Sequence, residues 1–135
     1  MTPDELRAVP LFDGLSEAGL ERLSAATTPV DYEPGQVLAL PGDPGSGMFV
    51  ILEGTVRVEM RGGFYVELRE GNFFGEIALL VPTSNRVARV RAMTPVRCLS
   101  VPRDDFLALV ESEPSLALKM LHELARRLGD AAPDG

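Results

Sequence analysis

The sequence predicts a mainly β protein with helices at both ends. Proline and glycine recur from Pro34 to Gly71, and short runs rich in β-branched and aromatic residues lie between them, which is typical of a barrel or sandwich. Helix-start signals stand before residue 30, and helical apolar spacing returns after residue 102. We therefore expect the strands at about residues 30–101 and C-terminal helices at about residues 103–129.

The first elements are expected to be two helices. The residues Thr2-Pro3-Asp4-Glu5 have the form of a capping box with proline at the first helical position, and this helix should stop near Val9-Pro10. Ser16 is expected to cap a second helix, whose buried face begins with Leu20 and Leu23.

A hairpin is the clearest β signal. Apolar and charged residues alternate from Val56 to Arg61, as in a half-buried strand. Gly62-Gly63 then supplies a two-residue turn, since both positions can take positive φ. The buried face should continue through Phe64, Val66 and Leu68. Strands are expected at residues 36–40, 48–52, 55–60, 64–69, 87–93 and 96–101.

The last elements are expected to be two short helices. Asp104 or Asp105 lies at the helix end that favours acidic groups, and Ser112-Glu113-Pro114 begins the second helix. The tail of residues 131–135 should fray. Five apolar residues of the second helix are expected to share one face: Leu116, Met120, Leu121, Leu124 and Leu128.

Composition excludes several classes of protein. At 135 residues and 14.6 kDa, the chain suits one domain over residues 1–135. The single Cys98 excludes an internal disulfide, and with the single His122 it excludes the usual zinc site, so no metal is expected. No apolar run approaches the roughly 20 residues of a membrane helix, and the acidic start is not a signal peptide. A cytoplasmic protein is expected.

The charge is unevenly distributed. The net charge of −7 argues against nucleic-acid binding. Residues 56–103 nevertheless carry a net charge of +4 within an otherwise acidic chain, with Arg86, Arg89 and Arg91 close together. This cluster is either the solvated face of a strand or a local site for an anion.

The stretch from Gly71 to Ala92 carries the candidate chemistry. Gly75 precedes the run Glu76–Leu80, which is long enough for one or two helical turns, and a glycine there lets a ligand approach bare backbone N–H groups. These donors and the positive end of the helix dipole suit a phosphate. Arg86 can fold back to add a bidentate, charge-assisted contact.

Glu76 distinguishes between kinds of ligand. A carboxylate beside a phosphate is useful if the ligand also offers hydroxyl donors, as a ribose does, and if Arg86 balances the charge. A nucleotide with a singly charged phosphate fits these groups, whereas the loop motif for a triphosphate is absent. The alternative is structural, with Glu76 capping the helix and Arg86 as its ion-pair partner on the surface.

Together these motifs resemble the cyclic nucleotide-binding domain family, over roughly residues 9–128. Phe74-Gly75-Glu76-Ile77-Ala78-Leu79 and Arg86-Val87-Ala88 look like the phosphate-binding cassette of that family. The remaining matching residues are Val9-Pro10-Leu11-Phe12, Gly14-Leu15-Ser16, Gly35, Gly42-Asp43-Pro44-Gly45, Met48–Gly54, Val56, Val58 and Val90.

The resemblance implies a fold and a ligand. The fold is an eight-stranded antiparallel β-roll, or jelly-roll, with N-terminal helices and two short C-terminal helices. The ligand is a cyclic nucleotide that is bound without catalysis and without a cofactor. Glu76 would accept a hydrogen bond from the ribose 2′-hydroxyl, and Arg86 would pair with the cyclic phosphate. Backbone N–H groups would complete the site at Gly75, Ile77, Ala78 and Ala88.

Two departures from the family pattern bear on specificity. The family often has Ala, Ser or Thr directly after the phosphate arginine, and Thr or Ser three residues after it; here these residues are Val87 and Arg89. Because Val87 cannot hydrogen-bond guanine, cAMP is favoured, with cGMP as the other ligand considered. Arg89 is expected to point outward from its strand.

The family covers the purine with a C-terminal helix. Leu124, Arg126, Arg127 and Leu128 are therefore lid candidates, and their alternative role is packing and compensation of the helix dipole. The apolar face of that helix could pack internally or form a homodimer seam, and internal packing is the expectation.

The output of the chain stays open. An effector protein or domain is implied, and no helix-turn-helix follows for DNA binding. Two other functions are considered: a degenerate member that keeps the fold for protein–protein contact, and a cupin-type enzyme, for which a single histidine is a poor fit.

Overall fold

The computed structural model describes residues 1–39, 47–60, 62–75, 89–130 and 132–133. Among these residues, two antiparallel sheets pack against each other, and helices from both ends of the chain pack on the outside of one sheet. This β-roll with flanking helices confirms the predicted fold class.

The N-terminal helices begin where the sequence predicts. The Thr2 side chain accepts from the backbone N–H of Glu5, and Glu5 accepts from that of Thr2, so the capping box is present. Ser16 caps the next helix by accepting from the N–H of Gly19. The first helix ends at Arg7 with Ala8 as its C-cap, close to the predicted end near Val9-Pro10, and a 3₁₀ helix begins at Pro10. The elements are α1 (Pro3–Arg7), a 3₁₀ helix (Pro10–Phe12) and α2 (Glu17–Ala26).

Eight strands lie between Thr28 and Pro102 in the described part of the chain, and every pairing is antiparallel. They form one sheet in the order β1-β8-β3-β6 and a second in the order β2-β7-β4-β5. The strands are β1 (Thr28–Tyr32), β2 (Val37–Ala39), β3 (Gly47–Glu53), β4 (Thr55–Met60), β5 (Phe64–Arg69), β6 (Phe73–Phe74), β7 (Arg89–Ala92) and β8 (Val96–Pro102).

The hairpin of β4 and β5 differs from its prediction in two details. Gly62 and Gly63 do have positive φ, but Met60 pairs with Phe64, so three residues connect the strands instead of two. Val66 and Leu68 are buried as predicted, whereas Phe64 is 46% exposed. Phe64 is the first residue of β5 and directly follows the glycine turn.

The C-terminal helices are α3 (Arg103–Ser112) and α4 (Pro114–Asp130). Leu116 and Met120 are buried, but the prediction that five apolar residues of α4 share one face is wrong, since Leu121 and Leu128 are 62% and 85% exposed. At roughly 100° per residue, Leu121 lies about 140° around the helix from Leu116.

The tail also departs from expectation. Ala132–Pro133 forms a short strand, β9, that pairs with β5 at Tyr65 and Phe64. The expected fraying is therefore wrong for these two residues, because the open edge of β5 offers them backbone partners.

Two apolar clusters form the core. One lies between the helices and the first sheet and contains Phe12, Leu20, Phe73, Phe106 and Leu116 among others. The second lies between the two sheets and is built from inward-facing residues of β3, β4, β5, β6, β7 and β8. The second cluster fills the space between the two sheets, and we call this filled interior the hollow of the roll.

The N-terminal and C-terminal helices are joined by polar contacts. The Glu113 carboxylate, at the junction of α3 and α4, accepts from the backbone N–H of Ser16 at 3.1 Å and from the Ser16 hydroxyl, 97 residues away. Lys119 of α4 donates to the carbonyl of Pro10 at 3.0 Å and pairs with Asp13. Both ends of the chain therefore meet in one helical layer.

Candidate functional site

The predicted ligand segment begins at Gly75, directly after the edge strand β6. Gly75 has φ of +93°, in the left-handed region that side chains with a Cβ rarely adopt. Phe74, the residue before it, is anchored in the hollow, where its ring stacks on that of Phe49 with centroids 5.1 Å apart. The described chain thus leaves a fixed strand at a residue without a side chain.

Most of the predicted site lies outside the described residues. These are the residues that carry the polar groups of the proposed contacts: Glu76, Ile77, Ala78, Arg86, Val87 and Ala88. The strands on either side are described, and they belong to different sheets: β6 pairs with β3, and β7 pairs with β4 and β2. Residues 76–88 therefore connect the two sheets that enclose the hollow.

The hollow itself is apolar in the described residues. Its buried members include Val56, Leu68 and Val90, and partly buried apolar side chains of Leu38 and Val58 pack against them. Among the residues that the structure describes, Thr27 is the only buried polar side chain, and it lies at the end of α2. The buried side chains of this cluster pack against one another and carry no charge, so they offer no partner to a phosphate.

Arg89 lies on the outer face of β7, as predicted. It is exposed and pairs across the sheet with Glu59 of β4, while its neighbour Val90 is buried in the hollow. On the same outer face, the Arg57 guanidinium lies 3.8 Å from the centre of the Tyr65 ring. Part of the basic middle of the chain is therefore the solvated face of a sheet.

The lid candidates on α4 contact residues of their own helix and of β6. Leu124 is partly buried against the helical core, and Leu128 is exposed. Arg126 donates to Glu123 at 2.6 Å. Arg127 donates to Glu123 at 3.4 Å and to the carbonyl of Phe73, and its guanidinium lies 4.5 Å from the centre of the Phe73 ring.

Glu123 and Asn72 were missed by the sequence reasoning. The Asn72 side chain accepts from the N–H of Arg69 at 2.9 Å and donates to Glu123 Oε1 at 3.1 Å, so it bridges the β5–β6 turn and α4. The spacing of Glu123 from Arg126 and Arg127, three and four residues, is the available signal for its ion pairs. No local pattern could reveal its contact with Asn72, 51 residues away.

The charge state of Glu123 is set by opposing effects. Burial alone would raise the pKa of its carboxyl, but the hydrogen bond from Arg126 and the charge of Arg127 outweigh burial and lower the pKa below its ordinary value of 4.5. Glu123 is therefore ionised at neutral pH and can serve as an acceptor.

Similarity to known proteins agrees with this geometry. Residues 29–113 match the profile of the family described as "Cyclic nucleotide-binding domain". Over 110 residues the chain is 42% identical to a cyclic nucleotide-gated potassium channel of Rhizobium etli, a match that covers 82% of this chain and 30% of the channel.

Two solved structures are similar in fold. A cAMP-binding acyltransferase from Mycobacterium smegmatis superposes with a TM-score of 0.80 and 30% identity, covering 96% of this chain and 41% of that one. The catabolite activator protein of Thermus thermophilus gives a TM-score of 0.71 and 29% identity, covering 90% of this chain and 59% of that one. The chain spans less than two thirds of the length of the curated relatives it matches.

Proposed function

Because the chain belongs to the cyclic nucleotide-binding domain family, we propose that it is a non-catalytic regulatory module that binds cAMP in preference to cGMP. The observation that carries the proposal is the family match over residues 29–113, which includes most of both sheets and the whole candidate segment. The module is one domain over residues 1–135 and works without a metal or a cofactor.

The proposed contacts divide the ligand between two kinds of surface. The base packs on apolar side chains of the roll, because those described between the sheets carry no charge. The phosphate goes to Arg86 and to backbone N–H groups of Gly75, Ile77, Ala78 and Ala88, and the ribose 2′-hydroxyl donates to Glu76. Support for this division comes from Gly75, whose positive φ and missing side chain leave room for a close backbone approach.

The preference for cAMP depends on Val87. A valine side chain has no hydrogen-bonding group for the guanine edge. Val87→Thr should therefore narrow the gap between cAMP and cGMP affinity, measured by titration calorimetry. Alanine, like valine, lacks a hydroxyl. If Val87→Ala reduced the difference between cAMP and cGMP affinity as much as Val87→Thr does, this account would be contradicted.

The main test is a thermal-shift screen with cAMP, cGMP, cyclic dinucleotides and AMP, followed by calorimetry. A ligand that binds only the folded state raises the melting temperature by mass action. Since a hydrogen bond to a charged group contributes about 1.5–3 kcal/mol, Arg86→Ala should weaken cAMP binding at least about tenfold. Arg89→Ala is the matched control, because Arg89 is exposed on the outer face of its strand.

Three outcomes would overturn the proposal or one of its parts. If no nucleotide stabilises the chain, the degenerate protein-contact member becomes the better explanation. If cAMP binds but Arg86→Ala and Arg89→Ala weaken it equally, Arg86 is not the phosphate ligand. Metal that copurifies in stoichiometric amount would favour the cupin-type enzyme instead.

The lid is the part of the proposal that links binding to output. The C-terminal helices move to cover the base, with Leu124, Arg126 and Arg127 as the residues nearest the ligand. Nucleotide should then slow amide exchange in residues 124–127, because a covering helix opens less often. Unchanged exchange there in saturated protein would remove these residues from the lid.

We further propose a homodimer seam on α4. Leu118, Leu121 and Leu128 are 55%, 62% and 85% exposed, and with Ala125 they follow the spacing of three, four and three residues found in two-stranded coiled coils. The flanking positions carry no permanent charge that would repel a second copy; they are Ala117, His122, Leu124 and Gly129.

Sedimentation analysis tests the seam. Leu121→Glu should shift the chain toward monomer. Met93→Glu is the control, since Met93 is also 45% exposed but lies in the turn after β7. A wild-type chain that stays monomeric at the highest soluble concentration would contradict the seam.

The effector of this module, a protein or domain in the cytoplasm, lies outside the residues described above. None of the helices in the described part of the chain has the length and the apolar character that crossing a membrane requires.

A further inference from the structure

We infer that Glu123 and Arg127 of α4 are positioning residues that hold the start of the ligand segment through Asn72 and Phe73. This inference rests on the proposed function, because it assigns Gly75 to the ligand site. We call the four side chains Asn72, Phe73, Glu123 and Arg127 the latch.

The latch fixes two successive residues of β6 and its turn from one helix. Asn72 donates to Glu123 at 3.1 Å, and Arg127 donates to the carbonyl of Phe73 while covering its ring. Asn72 and Phe73 directly precede Phe74 and Gly75 in the chain. A shift of α4 along its axis must therefore either break these contacts or move the backbone that leads into the ligand segment.

Asn72 is well placed to transmit such a shift. Both ends of its amide are used, one by Arg69 at the end of β5 and one by Glu123 of α4. Its own carbonyl accepts from the N–H of Ile51 at 2.8 Å, which ties the turn to β3 in the wall of the roll. The helix, the turn and the roll thus meet at a single residue.

The ion pairs strengthen the latch and restrict which side chain position 72 can carry. The Arg127 side chain is 12% exposed and that of Glu123 is 18% exposed, so their attraction is less weakened by water than that of a surface pair. Glu123 Oε1 accepts from Asn72, Arg126 and Arg127, and it would repel a carboxylate at position 72. A latch that holds Gly75 in place reduces the ordering cost of ligand binding. By linkage, bound nucleotide then strengthens the contact with α4.

A donor–acceptor exchange tests the latch. Asn72→Asp places two carboxylates together and should weaken cAMP binding about tenfold, within the range of coupling between contacting residues. When Glu123→Gln is added, the new amide at position 123 can donate to the new carboxylate at position 72, which itself lies near Arg126 and Arg127. The double variant should therefore recover most of the affinity for cAMP. Glu70→Gln is the matched control, because it removes a charge from the same turn at an exposed residue.

Amide exchange gives a readout that needs no ligand. Asn72→Asp should speed exchange at the amides of Ile51 and Asn72, and the double variant should slow it again. Melting temperatures identify any variant that has lost its fold, and in that case Glu123→Gln alone, which preserves the size of the side chain, replaces Asn72→Asp.

The outcomes separate this inference from the proposed function. If the wild type binds no nucleotide, the proposed function fails. In that case the latch is still supported if amide exchange at Ile51 and Asn72 is faster in Asn72→Asp and slows again in the double variant. If the wild type binds cAMP, and the Asn72→Asp variant is folded and has the same cAMP affinity and the same amide exchange rates as the wild type, the latch is wrong and the proposed function stands. Failure of the double variant to recover either quantity also overturns the latch.

Discussion

Gly54 should be among the least replaceable residues of the chain. It is the single residue between β3 and β4, and its φ is +94°. A Cβ at this position would overlap the backbone carbonyl of Pro95 and lie 2.9 Å from Thr94 Oγ1 and 3.0 Å from Val96 Cα. Two of these three neighbours are backbone atoms of the turn and strand β8, which cannot rotate away.

The cost of Gly54→Ala has two parts. A left-handed conformation costs a residue with a Cβ about 1–2 kcal/mol. Forcing extra volume into a packed site costs about 1–3 kcal/mol more. The sum of about 2–5 kcal/mol is a large part of the 5–15 kcal/mol by which folded domains are typically stable.

Gly35→Ala separates the two parts. Gly35 also has a positive φ, of +86°, but nothing lies within 4 Å of a Cβ built there. It should therefore lose only the conformational part, about 1–2 kcal/mol. Urea unfolding with linear extrapolation measures both variants on one scale.

The difference between the variants is the steric contribution of the Gly54 turn. If Gly54→Ala and Gly35→Ala lose equal stability, the close approach of Pro95 is not a constraint and the reasoning fails. The same holds if Gly54→Ala unfolds at the wild-type urea concentration.

Three further predictions concern single groups. Burial raises the pKa of the Cys98 thiol to about 12, so a disulfide reagent should label it only as fast as the protein opens, and rapid labelling of native protein would refute its burial. The Glu123 carboxyl has a lowered pKa, so its stabilising effect should be complete above pH 4.5 and disappear as the pH falls through its folded value. The loss caused by Glu123→Gln, followed by urea titrations at several pH values, should thus be largest near neutral pH, and a loss that does not change with pH would exclude the ion pairs. Thr2→Ala removes the cap of α1 and should cost about 1 kcal/mol in the same assay, whereas an unchanged midpoint would mean that α1 is not coupled to the fold.

Local features were predictable from the sequence. The caps at Thr2 and Ser16 and the positive φ of Gly62 and Gly63 each depend on a few neighbouring residues. The outward position of Arg89 follows from the alternation of β7. In each case the physical cause lies within four residues, so the pattern carries it.

Features that depend on distant partners were not predictable. The exposure of Phe64 follows from which residues cover the hairpin end, and the strand at Ala132–Pro133 depends on the open edge of β5. Leu121 and Leu128 are apolar, but their angles around the helix place them away from the core, and what covers a helix face depends on distant residues.

The candidate site also has a part that the sequence predicts and a part that only the fold reveals. A motif predicted its phosphate and ribose groups, at Glu76 and Arg86, because the chemistry is concentrated in one stretch. Asn72 and Glu123 come from separate stretches and have no significance until the fold brings them together.

The carboxylate of Glu113 has a consequence for biosynthesis. A chain growing on the ribosome releases Ser16 long before Glu113, which is 97 residues later. The amino-terminal helices can form early, but the group that fastens them emerges only after all strands up to Pro102. Completion of the helical layer must therefore wait until residue 113 has left the ribosome, and a nascent chain stalled before that residue should leave α2 accessible to chaperones and proteases.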